Sequence, residues 1–238
     1  MTRRSRTKPR LYFSFRSPYT WLAAHRLIGK VPAAFDLIDF IPSWEPDDDL
    51  ADQLEQAGGA VPYQPMSKAK HLYILQDTKR IASSLGLTMR WPVDIDPWWE
   101  LPHLAWLAAD RDGRGAEMFW AIANARWLRG ENICDPEVIT RCAVEASVDP
   151  EFVVAAARDS AIRAEGVRLL AQADDDDVFG FPYFRAGWLR FWGYDRVDDF
   201  VSSLRDGSPA VEVRLDDLPP EVLSEPGCYD TDAPGGCG

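Results

Sequence analysis

Tyr12-Phe13-Ser14-Phe15-Arg16-Ser17-Pro18-Tyr19-Thr20-Trp21, near the start of the chain, reads as a strand that runs straight into a helix. Aromatic residues alternate over 11–16 as they do on a strand. Ser17-Pro18 then supplies a helix N-cap followed by proline at the first helical position, where a missing N–H costs nothing. The helix is expected from Pro18 to near Ile28. Far along the sequence, Val178-Phe179-Gly180-Phe181-Pro182-Tyr183-Phe184 reads as a turn and a proline that feed another strand. A proline entering a strand after Gly180-Phe181 is well placed to be cis. Together the two stretches would close one site from two sides.

Working outward, Phe35 to Ile41 reads as a second strand ended by Pro42, so the chain opens β-α-β. Residues 43–65 are rich in Pro, Gly and Asp without a sustained period, and form a long loop with one helical piece over Leu50 to Gln56. Leu72, Ile74, Leu75, Ile81 and Leu85 are spaced as on a helix from Ser67 to Leu85 that stops at Gly86. Further helices are expected at Leu101 to Arg111, Ala116 to Arg129, Pro136 to Glu145, Pro150 to Arg158 and Ser160 to Ala173. Asp174 to Asp177 reads as a solvated loop, since it lacks the spaced ligands and glycine of a calcium loop. Strands return at Tyr183 to Ala186 and Trp188 to Trp192 around a tight turn at Ala186-Gly187, and a helix over Tyr194 to Leu204 follows. The resulting organisation is a disordered basic arm over 1–10, one α/β unit from 11–42 and 178–205, a loop plus helical insertion over 43–177, and an acidic tail over 206–238.

Composition excludes several classes of partner. A net charge of −12 argues against nucleic acid, whose phosphates are met by clustered Lys and Arg. No run approaches the apolar length of a membrane span, so no membrane partner is expected. Arg3, Arg4, Arg6, Lys8 and Arg10 precede an apolar stretch, Leu11 to Phe13, too short for a signal-peptide core, and the expected location is cytoplasmic. Cys134, Cys142, Cys228 and Cys237, with His25, His71 and His103, show no zinc-type spacing, and no metal is expected. Cys134 and Cys142 read as buried reduced thiols.

Ser17 carries the chemistry. At a helix N-terminus the unsatisfied N–H groups and the dipole favour negative charge, and a serine hydroxyl there can donate to a thiolate and lower the thiol pKa. The bland reading is an N-cap and nothing more. Phe181 could offer its backbone N–H and C=O to a peptide-like ligand. Lys70, Asp77 and Arg80 read equally well as an exposed helical face with ordinary pairing. Trp44, Trp91, Trp98 and Trp99 fall in loops, where they are either walls for a flat apolar ligand or packing.

Ser17-Pro18-Tyr19, Phe179-Gly180-Phe181-Pro182, Phe191-Trp192-Gly193-Tyr194-Asp195-Arg196, and Lys70-His71-Leu72-Tyr73 with Asp77 and Arg80 resemble one known group. It is the kappa-class glutathione transferases and 2-hydroxychromene-2-carboxylate isomerases of the DsbA-like thioredoxin superfamily, and the resemblance covers residues 10 to 204. It implies an α/β thioredoxin-like fold with a large all-helical insertion between a β-α-β N-terminal part and a β-β-α C-terminal part. Ser17 would hold and activate the glutathione sulfur, Phe181 beside cis-Pro182 would pair with the tripeptide backbone, and Lys70 and Asp195 would bind its charged ends. Tyr19, Trp44, Trp91, Trp98 and Trp99 would border the substrate pocket, and a homodimer is implied. The chain departs from the group at Val61, where asparagine is common, at Tyr194, where serine is, and in the bulkier segment Trp91 to Glu100.

The function this points to is an isomerase or transferase that borrows glutathione or another low-molecular-weight thiol and acts on an aromatic or conjugated small molecule. The alternative is a cofactor-free protein whose cleft binds a small molecule or a partner chain, which Val61 and Tyr194 would suit. A DsbA-like protein thiol oxidoreductase needs a cysteine at or beside position 17, and none is there.

Overall fold

The computed structural model describes residues 8–61 and 66–206. The expected basic arm therefore lies outside the described residues up to residue 7, and the acidic tail from residue 207 onward. Residues 8–10 belong to the body: Lys8 pairs with Asp39 at 2.8 Å, and the Asp39 N–H donates to the Pro9 carbonyl.

Four short strands form one mixed sheet in the order β2-β1-β3-β4: β1 is Arg10–Phe13, β2 Asp39–Pro42, β3 Tyr183–Ala186 and β4 Leu189–Trp192. β1 and β2 run parallel with Leu11 opposite Phe40, which requires a crossover, and helix α1 (Pro18–Lys30) provides it. β3 lies antiparallel to β1 with Tyr12 opposite Tyr183, and β4 returns antiparallel through a turn in which Gly187 takes a φ of 65°. The end of β1 and the start of β3, the two central strands, thus meet at one end of the sheet, where the serine and proline segments face each other.

The insertion is helical, as its periodicity predicts. It comprises α3 (Asp48–Gln56), α4 (Lys68–Ser84), α5 (Glu100–Arg111), α6 (Gly115–Asn124), α7 (Pro136–Glu145), α8 (Pro150–Ala155) and α9 (Ser160–Asp175), numbered after a short helical turn α2 (Ala34–Leu37). Side chains of Asp47, Ser67, Asp135, Asp149 and Asp159 cap the helices that follow them, and Pro136 and Pro150 stand just inside two of these starts. A 3-10 turn over Tyr194–Arg196 leads into the last helix, α10 (Val197–Asp206). Rings bind the insertion to the sheet. Phe13 meets Trp106 of α5 at 4.9 Å and Phe119 of α6 at 5.2 Å, both edge to face, and Phe15 lies 5.5 Å from Phe119.

Three local expectations are corrected. Phe35 to Leu37 is a helical turn, not the start of β2: the Phe35 and Phe40 rings stack at 4.1 Å, whereas five residues of strand would separate them by about 17 Å. The helix expected over Ala116 to Arg129 ends at Asn124, and Ala125–Arg129 winds as a π-helix closed by Gly130 at a φ of 73°. The aspartate run is no solvated loop either. Asp174 and Asp175 finish α9, and Asp176 is buried at 6% exposure, taking hydrogen bonds from Arg10, Tyr12 and Arg185 on β1 and β3. Among the described residues no helix is long and apolar enough to cross a membrane.

Candidate active site

Ser17 caps α1. Its Oγ accepts from the Thr20 N–H at 3.3 Å and donates to the Phe181 carbonyl at 3.1 Å, across 164 residues of sequence. The Phe181–Pro182 peptide bond is cis. The Gly193 N–H donates to the Pro182 carbonyl at 3.0 Å, fastening the proline segment to the end of β4. One hydroxyl therefore stands between a helix N-terminus and a backbone carbonyl, half-buried and able to turn its proton to a ligand.

The turn that presents Ser17 is held from beneath by the insertion. The Phe15 N–H donates to His103 Nε2 at 3.1 Å, and the Phe15 carbonyl accepts from Trp127 Nε1 at 3.1 Å. Ser14 Oγ lies 3.4 Å from the same imidazole nitrogen, and the Ser17 N–H donates back to the Ser14 carbonyl at 3.1 Å. His103 Nδ1 is 2.7 Å from the Trp99 carbonyl, and the ring stacks on Trp44 with a 17° interplanar angle. Burial drives the imidazole pKa down to about 3, against the hydrogen bond to Trp99 that would raise it, so the ring is neutral. Nδ1 then carries the proton and Nε2 accepts. Beside it the Arg126 guanidinium, 2% exposed, grips Asp94 with two 2.8 Å bonds and lies over the rings of Trp99 and Trp127 at 4.9 and 4.7 Å.

The remaining predicted residues divide into those drawn to the serine and those standing apart. Ser17, Phe181 and Pro182 come together. Lys70 is exposed on the first turn of α4, and Asp195 is exposed just after Gly193, its carboxylate 3.4 Å from Arg196. α4 docks on α1 through the Tyr19 hydroxyl, which donates to Asp77 at 2.7 Å while Arg80 holds the other carboxylate oxygen. Burial, and then this bond, push the Tyr19 phenol above its ordinary pKa. Trp44 and Trp99 are 2% and 4% exposed, which puts them in the core and not on an open wall. Trp44 Nε1 donates to the buried Glu100, while Arg16 and Arg126 both lie over the Trp99 ring. Trp98 is tied to Asp47 at 3.1 Å beneath Arg158, and Trp91 is more than a third exposed, its ring against His71 and Trp127.

One hollow borders the proline segment, and a second opens next to it across Ala60 and Val61. A cavity of about 40 Å³ lies among Val61, Leu170, Val178, Phe179 and Phe181, and an open cleft of about 420 Å³ among Glu45, Pro46, Leu54, Glu55, Ala60 and Val61. Val61 lines both and offers no hydrogen bond. Neither described cysteine takes part: burial raises Cys134 and Cys142 to about 12, and Cys142 donates to the Ala121 carbonyl. Sequence reasoning weighs His103 only as a metal ligand and Asp176 only as part of a solvated loop, and it gives Arg126 no role. A lone histidine inside the apolar run Leu101-Pro102-His103-Leu104-Ala105-Trp106 was the available signal, because a buried imidazole must find partners.

Residues 10–205 match the DSBA-like thioredoxin domain. A 2-hydroxychromene-2-carboxylate isomerase from Sphingobium xenophagum is 27% identical over 199 residues, spanning 82% of this chain and 96% of that protein. Among solved structures, a 2-hydroxychromene-2-carboxylate isomerase superposes with a TM-score of 0.65 at 21% identity, covering 82% of this chain and 93% of that one. A probable DsbA oxidoreductase from Streptomyces coelicolor superposes at 0.60 with 19% identity, covering 82% and 87%.

Proposed function

This chain belongs to the DsbA-like thioredoxin domain family, and from that premise we propose that it is an isomerase, or a transferase of the same chemistry, that uses a small thiol in place of a protein cysteine. The observation that carries the reading is the Ser17 hydroxyl, set at the N-terminus of α1 and 3.1 Å from the carbonyl of the residue before cis-Pro182, where no cysteine stands. The likeness to the Sphingobium isomerase supports it.

The residues present fit glutathione or a similar cysteinyl thiol. Ser17 would turn its hydroxyl from the Phe181 carbonyl to the sulfur and favour its ionised form, helped by the end of α1. The backbone of Phe181 has an N–H and C=O for a peptide unit. Lys70 suits a carboxylate, and Asp195 an ammonium. Such a thiol, when bound, supplies a nucleophile that can add reversibly to a conjugated double bond, allow rotation and leave again. What the protein contributes is placement: the turn before Ser17 is held by His103 and Trp127, and apolar side chains, Val61 among them, line the small cavity at Phe181 and the open cleft next to it, which would suit an aromatic or conjugated substrate.

Calorimetry with glutathione and other small thiols tests the cofactor, and binding of none of them would sink it. Ser17→Ala tests the mechanism. It should lower turnover of a conjugated substrate at least roughly tenfold, the equivalent of one pKa unit in the bound thiol, while the fold survives loss of one N-cap. Turnover that persists in the variant favours a cleft that binds without a thiol.

A further inference from the structure

The Ser17 turn hangs from two side chains of the helical insertion. Phe15 is buried, and its two backbone polar groups are both held: His103 Nε2 accepts from its N–H, in the peptide shared with the Ser14 carbonyl, and Trp127 Nε1 donates to its carbonyl, each at 3.1 Å. The two supports come from different places, α5 and the π-helical turn Ala125–Arg129. π-turns displace side chains from the α-helical register and recur at functional sites, and this one delivers Trp127 to the turn. His103 is itself oriented by the Trp99 carbonyl at 2.7 Å and by stacking on Trp44. Nothing else among the described residues accepts the Phe15 N–H, and a buried donor without an acceptor is costly.

We infer that His103 is the positioning residue for Ser17. Its Nε2 holds the Phe15 N–H, the Ser14 carbonyl is thereby fixed under the Ser17 N–H, and the Ser17 hydroxyl keeps its aim on the space beside Phe181. It acts on a bound sulfur only through that serine and touches no ligand. The inference rests on the thiol reading above for its consequence, but the positioning itself is a property of the unliganded protein.

Three measurements test it. In the wild-type protein, nitrogen chemical shifts of His103 should report the Nδ1–H tautomer near neutral pH. The Nε2–H tautomer would overturn the inference, since two donors would then face each other. His103→Phe keeps a flat ring without an acceptor, and His103→Gln restores one. Amide exchange at Phe15 should quicken by roughly tenfold or more in the first and much less in the second. Equal exchange in wild type and His103→Phe would refute the support. With glutathione bound, His103→Phe should lower the thiolate fraction near pH 7 by roughly tenfold, read by ultraviolet absorbance. Affinity should fall by no more than the lost ionisation accounts for, and His103→Gln should recover most of the thiolate. A loss of affinity with no change in thiolate fraction would mean a merely structural role. If wild type binds no thiol while the tautomer and exchange results hold, the cofactor reading fails and the positioning stands.

Discussion

The site where Ser17 meets Phe181 has two walls, the serine turn and the cis-proline segment: behind the proline wall a carboxylate gathers charge, whereas behind the serine wall an imidazole stays neutral. Asp176 joins the end of α9 to β1 and β3, through Arg10, Tyr12 and Arg185. Burial alone would raise its carboxyl, but the Tyr12 hydroxyl and the two guanidinium groups outweigh that and hold it below the ordinary value. It anchors the segment that leads through Phe179 and Phe181 to cis-Pro182. His103 uses no charge and supports the opposite wall through one peptide group. The charged anchor suits a junction of three separate elements, because several donors converge on one small acceptor. The neutral one suits a wholly buried support, where a charge without a partner would be costly.

Removing each anchor should separate these roles. The largest effect is expected from Asp176→Ala, which strands two partly buried arginines: about 3 kcal/mol or more lost in chemical denaturation. A cost below 1 kcal/mol would reduce the cluster to an ordinary surface pair.

Acid should release the two walls in different windows. With His103 lowered from 6.5 to about 3 in the fold, the unfolded chain takes up the proton first. Its contribution is complete above about pH 6.5 and is lost on acidification from there toward 3, by up to about 1.4 kcal/mol per pH unit. Asp176, held below its ordinary 3.8, keeps its full contribution above that value and loses it only at lower pH. Stability measured from pH 7 to 4 should therefore slope in wild type and flatten in His103→Gln, with a residual slope from His25, whose pKa burial also lowers. An unchanged slope in the variant would remove His103 from the account. The smallest effect is expected from Gly180→Ala, where a Cβ would lie 2.7 Å from Trp192 Nε1: a cost of about 1–2 kcal/mol, confined to the proline wall. No cost would show that the Trp192 ring has room to move.

The outline of this molecule was legible because its decisive signals are local. Ser17-Pro18 as cap and first helical residue and Gly180-Phe181-Pro182 before a strand each sit within a few residues, and the structure places both; the apolar spacing of the insertion finds its helices too, save that the one over Ala116 to Arg129 stops at Asn124. The supports were not legible, since they act over long separations: His103 lies 88 residues from Phe15, and Asp176 164 from Tyr12. Four consecutive aspartates gave no sign that one would turn inward to two arginines. Trp44 and Trp99 look like free walls in sequence because they stand among loop residues, yet their rings pack on His103, Arg16 and Arg126. Phe35 misled in the same way, as its β-type neighbours concealed a ring that folds back on Phe40.

The π-helical turn Ala125–Arg129 makes the chain count residues there. One residue removed would let the segment relax to an α-helix and swing all that follows by about 100° about the axis. Arg126 would be carried off Asp94 and Trp127 off the Phe15 carbonyl in a single step. Substitution trims one contact at a time, but a deletion at this point spoils the alignment of a whole wall. Length, more than side-chain identity, should thus be the property least free to drift between Asn124 and Gly130.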